Sequence, residues 1–368
     1  MTSSNGHKKE RCVLITGSTG TIGGELVATF AERGWNVLAV ARAADDRAAA
    51  VRVRERLEKS SQVSVMDSGR ITALAGDITK PLLGLTNPNL PEKLTIIQCA
   101  GETGYKYEKL CWDTNVGAAK HIVELAKHQG KPPRIFFVSS ASVCMSPAHS
   151  EIHENQRYSG YSNAYTRSKR GAEEVFLSSG LDVVILRPSI VLSYGINDRR
   201  MARTMLWAIP AIAYLGKTTE EVPVDPESRM DIVSVDYAAD VIEKLVSKPS
   251  LAHKIYHISA GQNGSDTCQS IRDAIEDTHL FPEESEKIKL VRKRSWPQKK
   301  VDNVRFRLLK RSVGYYLPFL NSDITYSNER MLSELNGSVP QCRPLSEYIG
   351  NLLSQITFEE AIEESYRP

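Results

Sequence analysis

The segment Thr16-Gly-Ser-Thr-Gly-Thr-Ile-Gly23 constrains this chain more than any bulk property does. It follows an apolar run, Cys12-Val-Leu-Ile-Thr16, that reads as a strand, and it leads into a helical pattern over Glu25 to Glu32. Gly17 permits a tight turn, Gly20 lets the backbone approach a pyrophosphate, and Gly23 lets the helix pack close to the strand. Ser18, Thr19, Thr21 and Ile22 complete the turn, which makes 17–23 a candidate phosphate cradle. A plain glycine-rich connection carries similar letters, and the strand–turn–helix setting is what separates the two.

The following residues keep that rhythm. Strands are expected at Asn36–Ala41, Ile71–Ala75, Leu94–Gln98, Arg134–Val138 and Asp182–Leu186, and helices at Ala48–Lys59, Asn115–His128 and Ala164–Phe176. Continuous apolar strands alternating with helices imply a parallel sheet covered on both faces. The expected fold is therefore α/β, a Rossmann-type doubly wound sheet with a smaller, mainly helical C-terminal lobe. Past residue 195 the rhythm breaks. Asn197–Gly216 and Tyr237–Lys248 read as helices, and Met230–Val233 and Lys254–Ile258 as strands. This assigns 11–195 with 228–262 to the nucleotide-binding domain, 196–227 with 263–368 to a substrate lobe, and 1–10 to a disordered N-terminus.

Two positions refine the ligand. Enzymes that select NAD usually carry an acid at the end of the second strand, where it binds the ribose hydroxyls. Here the strand ends in Ala41-Arg42, and an arginine there can pair with the 2′-phosphate of NADP(H). Asp77-Ile78, after the third strand, would set a carboxylate against an adenine amino group; an ordinary turn aspartate is the alternative.

Tyr165 and Lys169 lie four apart in a helical stretch and so share a face. A free phenol titrates near pH ~10, and a neighbouring ammonium favours its phenolate. Ser140 ends the fifth strand, at the edge where open α/β sheets bind ligands, and its hydroxyl can join Tyr165 in polarising a carbonyl. Each motif alone is common. The glycine turn, Ser140, Tyr165 and Lys169 in this order form a specific conjunction.

At this point the sequence resembles the extended short-chain dehydrogenase/reductase family, and within it the thioester reductases and fatty acyl-CoA reductases. Gly76-Asp-Ile-Thr-Lys-Pro-Leu-Leu-Gly-Leu85 looks like the thioester reductase signature, Thr114-Asn-Val-Gly117 like the family's helix-four asparagine motif, and Leu186-Arg-Pro-Ser-Ile-Val191 and 231–240 like its later motifs. The resemblance implies NADPH held at 17–23, Arg42, Asp77-Ile78 and Ala100-Gly101, with Pro188, Ser189 and Ile190 lining the nicotinamide. It implies Ser140, Tyr165 and Lys169 as catalytic residues, the last two also contacting the cofactor. It implies an acyl thioester substrate, on coenzyme A or a carrier protein, reduced to aldehyde or alcohol. A ketone or aldehyde reductase, a nucleotide-sugar epimerase or dehydratase, and a non-enzymatic NADP-sensing protein are the other readings. Gln98-Cys-Ala-Gly101 replaces the family's usual His/Asn-x-Ala-Ala.

The remaining features narrow the class. A net charge of +3 gives no basic stripe for nucleic acid. The longest apolar run, Leu206–Leu215, contains Pro210 and is too short to span a bilayer, and 1–11 shows no export signal. Six scattered cysteines fit a reducing, cytoplasmic setting, the sequons at Asn263 and Asn336 read as chance, and no histidine spacing suggests a metal. The basic run Lys287–Lys300 is either a docking patch for coenzyme A phosphates or an acidic carrier protein, or a solvated face. The apolar stretch 204–214 reads as an acyl tunnel wall or, more simply, as a buried helix.

Overall fold

A computed structural model describes residues 11–60, 62–104, 107–145, 151–156, 163–192, 221–277, 289–292, 307 and 320–353. Its main sheet has seven parallel strands: β1 (Cys12–Thr16), β2 (Asn36–Ala41), β3 (Ile71–Ala75), β4 (Leu94–Gln98), β5 (Arg134–Val138), β6 (Val183–Pro188) and β7 (Ile255–Ile258). Their order across the sheet is β7-β6-β5-β4-β1-β2-β3. The chain runs outward from β1 to β3, then returns to lay β4 on the other side of β1. That reversal opens a crevice at the carboxyl ends of β1 and β4, where open α/β sheets take their ligands. In register, Thr16 of β1 stands between Val40 of β2 and Gln98 of β4.

The period of two along each strand builds two cores. Val13, Ile15, Ile97, Phe136, Val184 and Leu186 point to one face, with α1 (Thr21–Glu32), α2 (Asp46–Lys59) and the helix Val235–Val246. Leu14, Ile96, Ile135, Phe137 and Ile185 point to the other, with α3 (Glu108–His128) and α4 (Ala164–Leu177). Burial on both faces explains why the strands read as unbroken apolar runs rather than alternating ones.

Helix starts differ most from expectation. α1 begins at Thr21 because the turn backbone leads straight into it, although Gly23-Gly24 are poor helix formers. α3 begins at Glu108, seven residues before Asn115, in a stretch where Leu110 and Trp112 stay exposed and blur the apolar period. The stretch expected as one strand over Met230–Val233 divides in two. Arg229–Met230 pairs antiparallel with Asp266–Thr267, and Ile232–Ser234 pairs with Ile190–Leu192. Only Ile255–Ile258 of that region joins the main sheet. The N-terminal residues 1–10, the helix expected over 197–216 with its apolar stretch 204–214, and the basic run except 289–292 lie outside the described residues. Among the described residues no helix is long and apolar enough to cross a membrane.

Candidate active site

The glycine turn is built by contacts that side chains would forbid. Gly17 sits at φ +72°, and a Cβ there would come within 2.8 Å of the Ala100 nitrogen. A Cβ on Gly23 would meet the Gly17 carbonyl oxygen at 2.2 Å, a backbone collision with nowhere to go. The Gly20 amide closes the turn by donating to the Gly17 carbonyl at 2.8 Å. The Ser18 hydroxyl, buried, donates to Val40 O at 2.8 Å and so ties the turn to β2. Behind the turn Arg56 of α2 donates to the Gly20 and Thr21 carbonyls, each at 3.2 Å. The turn is thus pinned from below, with its α1 amides at the crevice.

Across the crevice a second turn is locked onto the first. The Thr16 hydroxyl donates to Gln98 Oε1 at 2.7 Å and accepts from the amides of Cys99 and Ala100, each at 3.1 Å. Gln98 Nε2 in turn donates to Ala100 O at 2.8 Å. In the sequence Thr16 opens the glycine segment and Gln98 stands out only as a departure from the family's pattern; their bond to each other is visible only in the structure. Gly101 is wedged tightly, since a Cβ there would stand 2.6 Å from Asn115 Oδ1 and 3.4 Å from Lys169 Nζ. Asn115, buried in α3, accepts from the Glu102 amide at 2.8 Å and donates to Ser168 Oγ at 2.8 Å.

α4 carries the next group. Its start is fixed by a capping box in which the Asn163 and Thr166 side chains each bond the other's backbone amide. Lys169, buried, donates to Val138 O at 2.9 Å and stands 5.9 Å from the centre of the Tyr165 ring. Ser140 hydrogen-bonds the Tyr165 phenol. Ser140, Tyr165 and Lys169 are therefore brought together beside Gly101, at the carboxyl edge of β5. Burial pulls the Lys169 ammonium down to about 8, against the opposing pull of Cys99 and Glu173. Burial likewise pushes the Tyr165 phenol up to about 12, only partly relieved by the Ser140 hydrogen bond. The phenol thus stays protonated through the neutral range, the state that a proton donor needs.

Arg42 and Asp77 meet at the end of β2, with Arg42 Nε 3.7 Å from Asp77 Oδ2 and the arginine 69% exposed. Burial opposes the Asp77 charge, but the Thr79 amide and hydroxyl together with Arg42 hold its carboxyl below the usual range. Both Thr79 groups bond Asp77 Oδ1, so Asp77 also closes its own turn. Ile78 is buried beneath it. The loop beyond it puts Leu82 and Leu83 at φ +48° and +58°, where side chains are uncommon, and Leu83 O accepts the Asp77 amide at 2.7 Å. Pro188 ends β6, and the Ser189 and Ile190 amides donate to Ile258 O and Asp231 O. This carries Pro188–Ile190 from the sheet edge into the short strand pair. Among the described residues no group of three His, Cys, Asp or Glu could hold a metal ion.

Comparison with known proteins agrees with this fold. The family model described as male sterility protein, a set of NAD-binding domains, matches residues 15–242. A nonribosomal peptide synthetase of Aspergillus flavus is 24% identical over 67% of this chain, and the match takes up 26% of that protein. A polyketide synthase–nonribosomal peptide synthetase of Pyricularia oryzae is 30% identical over 64% of this chain and 6% of its own length. The chain therefore spans about a quarter or less of these relatives. Among solved structures, the terminal R domain from the myxalamid pathway superposes with a TM-score of 0.74 at 22% identity, covering 94% of this chain and 90% of that one. The reductase domain of a Mycobacterium tuberculosis nonribosomal peptide synthetase gives 0.72 at 18% identity, covering 96% and 93%.

Proposed function

Because this chain belongs to the male sterility family of NAD-binding proteins, we propose that it is an NADPH-dependent reductase that takes an acyl thioester to an aldehyde. The observation that carries the proposal is the convergence of Ser140, Tyr165 and Lys169 beside Gly101 at the carboxyl edge of β5. The glycine turn fits the cofactor, since a Cβ at Gly17 or Gly23 would collide with backbone and break the tight strand–turn–helix path on which a pyrophosphate sits. Residues 17–23, Arg42, Asp77-Ile78, Ala100-Gly101 and Pro188–Ile190 would hold it, and once bound it supplies the hydride. The chain's own residues do the rest. Tyr165 donates its proton to the carbonyl oxygen, Lys169 stabilises the phenolate left behind, and Ser140 holds the developing oxyanion. The tetrahedral hemithioacetal then collapses to aldehyde and thiol, and a second round would give the alcohol. On this reading 11–195 with 228–262 is the nucleotide-binding part, and 196–227 with 263–368 the substrate lobe.

The matched relatives are named as a nonribosomal peptide synthetase and a polyketide synthase–nonribosomal peptide synthetase, and on this reading the thioester is held on a carrier's phosphopantetheine rather than on a free metabolite. The basic run 287–300 would meet such a carrier; within it, Arg292 already pairs with Asp225 at 2.9 Å. The deciding experiment follows NADPH oxidation with acyl-coenzyme A, acyl carrier, ketone, aldehyde and nucleotide-sugar substrates, with product analysis. Thioester-dependent oxidation with release of aldehyde and free thiol is expected. Turnover of a nucleotide sugar alone, or of nothing, would remove the reading.

Cofactor choice has its own test. Arg42 is exposed at the end of β2, free to swing from Asp77 onto a 2′-phosphate. NADPH should bind at least about tenfold tighter than NADH, roughly 1.4 kcal/mol, from that charge-assisted contact. Arg42→Ala should erase most of the preference in a titration of the two cofactors. Equal affinities in the unaltered protein would return Arg42 to the surface.

A further inference from the structure

Ser140 begins the short 3-10 turn Ala141–Cys144 in extended conformation, with φ −157° and ψ 141°. That turn folds Ser142 back onto it. The Ser142 amide donates to Ser140 Oγ at 3.3 Å, and the two hydroxyl oxygens lie 2.8 Å apart. The outer wall of the turn is held by Arg170 of α4, which donates to Val143 O, and by Arg187 of β6, which reaches Cys144 Sγ at 2.9 Å. Ser142 is therefore kept in place by both the helix that carries Lys169 and the strand beside β5.

A hydroxyl has one proton and two lone pairs. The Ser142 amide fills one lone pair of Ser140. If Ser140 gave its proton to Ser142 Oγ, that proton would point back into the turn and be lost to the site. If Ser142 gives its own proton instead, both lone pairs of Ser140 are filled from behind, and its single proton is left for Tyr165 or a substrate oxygen. Only the second arrangement leaves the Ser140 proton for the site, and the 2.8 Å hydroxyl pair together with the Ser142 amide supplies both donors that it needs.

We propose that Ser142 is a positioning residue which saturates Ser140 and so aims the Ser140 proton at the substrate carbonyl. This rests on the role of Ser140 given above, and it assigns to Ser142 no contact with substrate or cofactor.

The test is a double-mutant cycle on whichever carbonyl the unaltered protein reduces, thioester or aldehyde. Ser142→Ala keeps the amide bond and removes the hydroxyl. Its kcat should fall about tenfold, the size of one directed hydrogen bond, while KM and the Kd of NADPH stay within about twofold. Ser142→Thr should restore kcat. In a Ser140→Ala background, Ser142→Ala should add nothing, because there is no proton left to aim. Three results overturn the inference alone: an unchanged kcat in Ser142→Ala, a loss confined to Tm, or an equal loss in both backgrounds. If Ser140→Ala itself leaves turnover intact, the assignment of Ser140 fails, and the inference fails with it.

Discussion

Tyr165→Phe should lower kcat by about a hundredfold to ten-thousandfold while the protein still binds NADPH, the span expected for losing a positioned proton donor. The substitution keeps the ring beside Lys169 and removes only the hydroxyl that Ser140 bonds. Stopped-flow turnover with a parallel fluorescence titration of NADPH separates the two effects. Ser140→Ala should cost about a hundredfold, as for other oxyanion donors. Lys169→Ala should weaken turnover and cofactor binding together. The losses should fall short of additive, because the three groups act on one transition state. The pH profile supplies a second check. Burial draws the Lys169 ammonium down to about 8, so its charge is intact at neutral pH and is lost as pH rises through that value. Turnover should decline on the alkaline side from about there, long before the phenol, held up to about 12, gives up its proton. Wild-type turnover in Tyr165→Phe would mean that the proton comes from elsewhere, and the assignment of Tyr165 as the donor would fall.

The parallel sheet could be read from the letters because its strands are buried on both faces. Cys12–Thr16 and Arg134–Val138 carry no polar interruption that could hide them, and their limits fall where expected. The candidate cradle was legible for a related reason. Glycines at 17 and 23 are required by backbone contacts that leave no choice of residue, and a Cβ at Gly20 would stand a tight 3.2 Å from Gly17 O. What the letters hid were groups whose roles come from distant partners. Gln98 reads as a strand end until Thr16 is seen 2.7 Å away. Arg56 reads as one more charge on a charged helix, yet it is buried beneath the glycine turn. The first turns of α3 were missed because Leu110 and Trp112 point outward and break the apolar stripe on which periodicity depends.

Arg187 and Glu173 are the sharpest example of a hidden pair, and the largest stability change in the chain is expected there. Arg187 lies on β6, just before Pro188 and one residue past the strand expected over Asp182–Leu186. Glu173 lies one turn past Lys169 on α4. Both side chains are about 5% exposed, and they meet twice, Nε to Oε1 at 2.9 Å and Nη2 to Oε2 at 2.7 Å. Nη1 also donates to Glu154 O at 3.1 Å, so a third segment is tied in. Two charges withdrawn from water hold each other at little net gain, but removing one strands the other. Arg187→Met should therefore destabilise the protein by about 3–5 kcal/mol in urea denaturation, through the unpaired Glu173 carboxylate. Adding Glu173→Leu should recover part of that loss, because no buried charge is then left alone. The pair also clamps the helix bearing Lys169 to the sheet, so any folded fraction of Arg187→Met should turn over more slowly than the parent. A loss below about 1 kcal/mol, the range of solvent-exposed pairs, would show that water reaches Glu173 and that the clamp is weaker than its geometry implies.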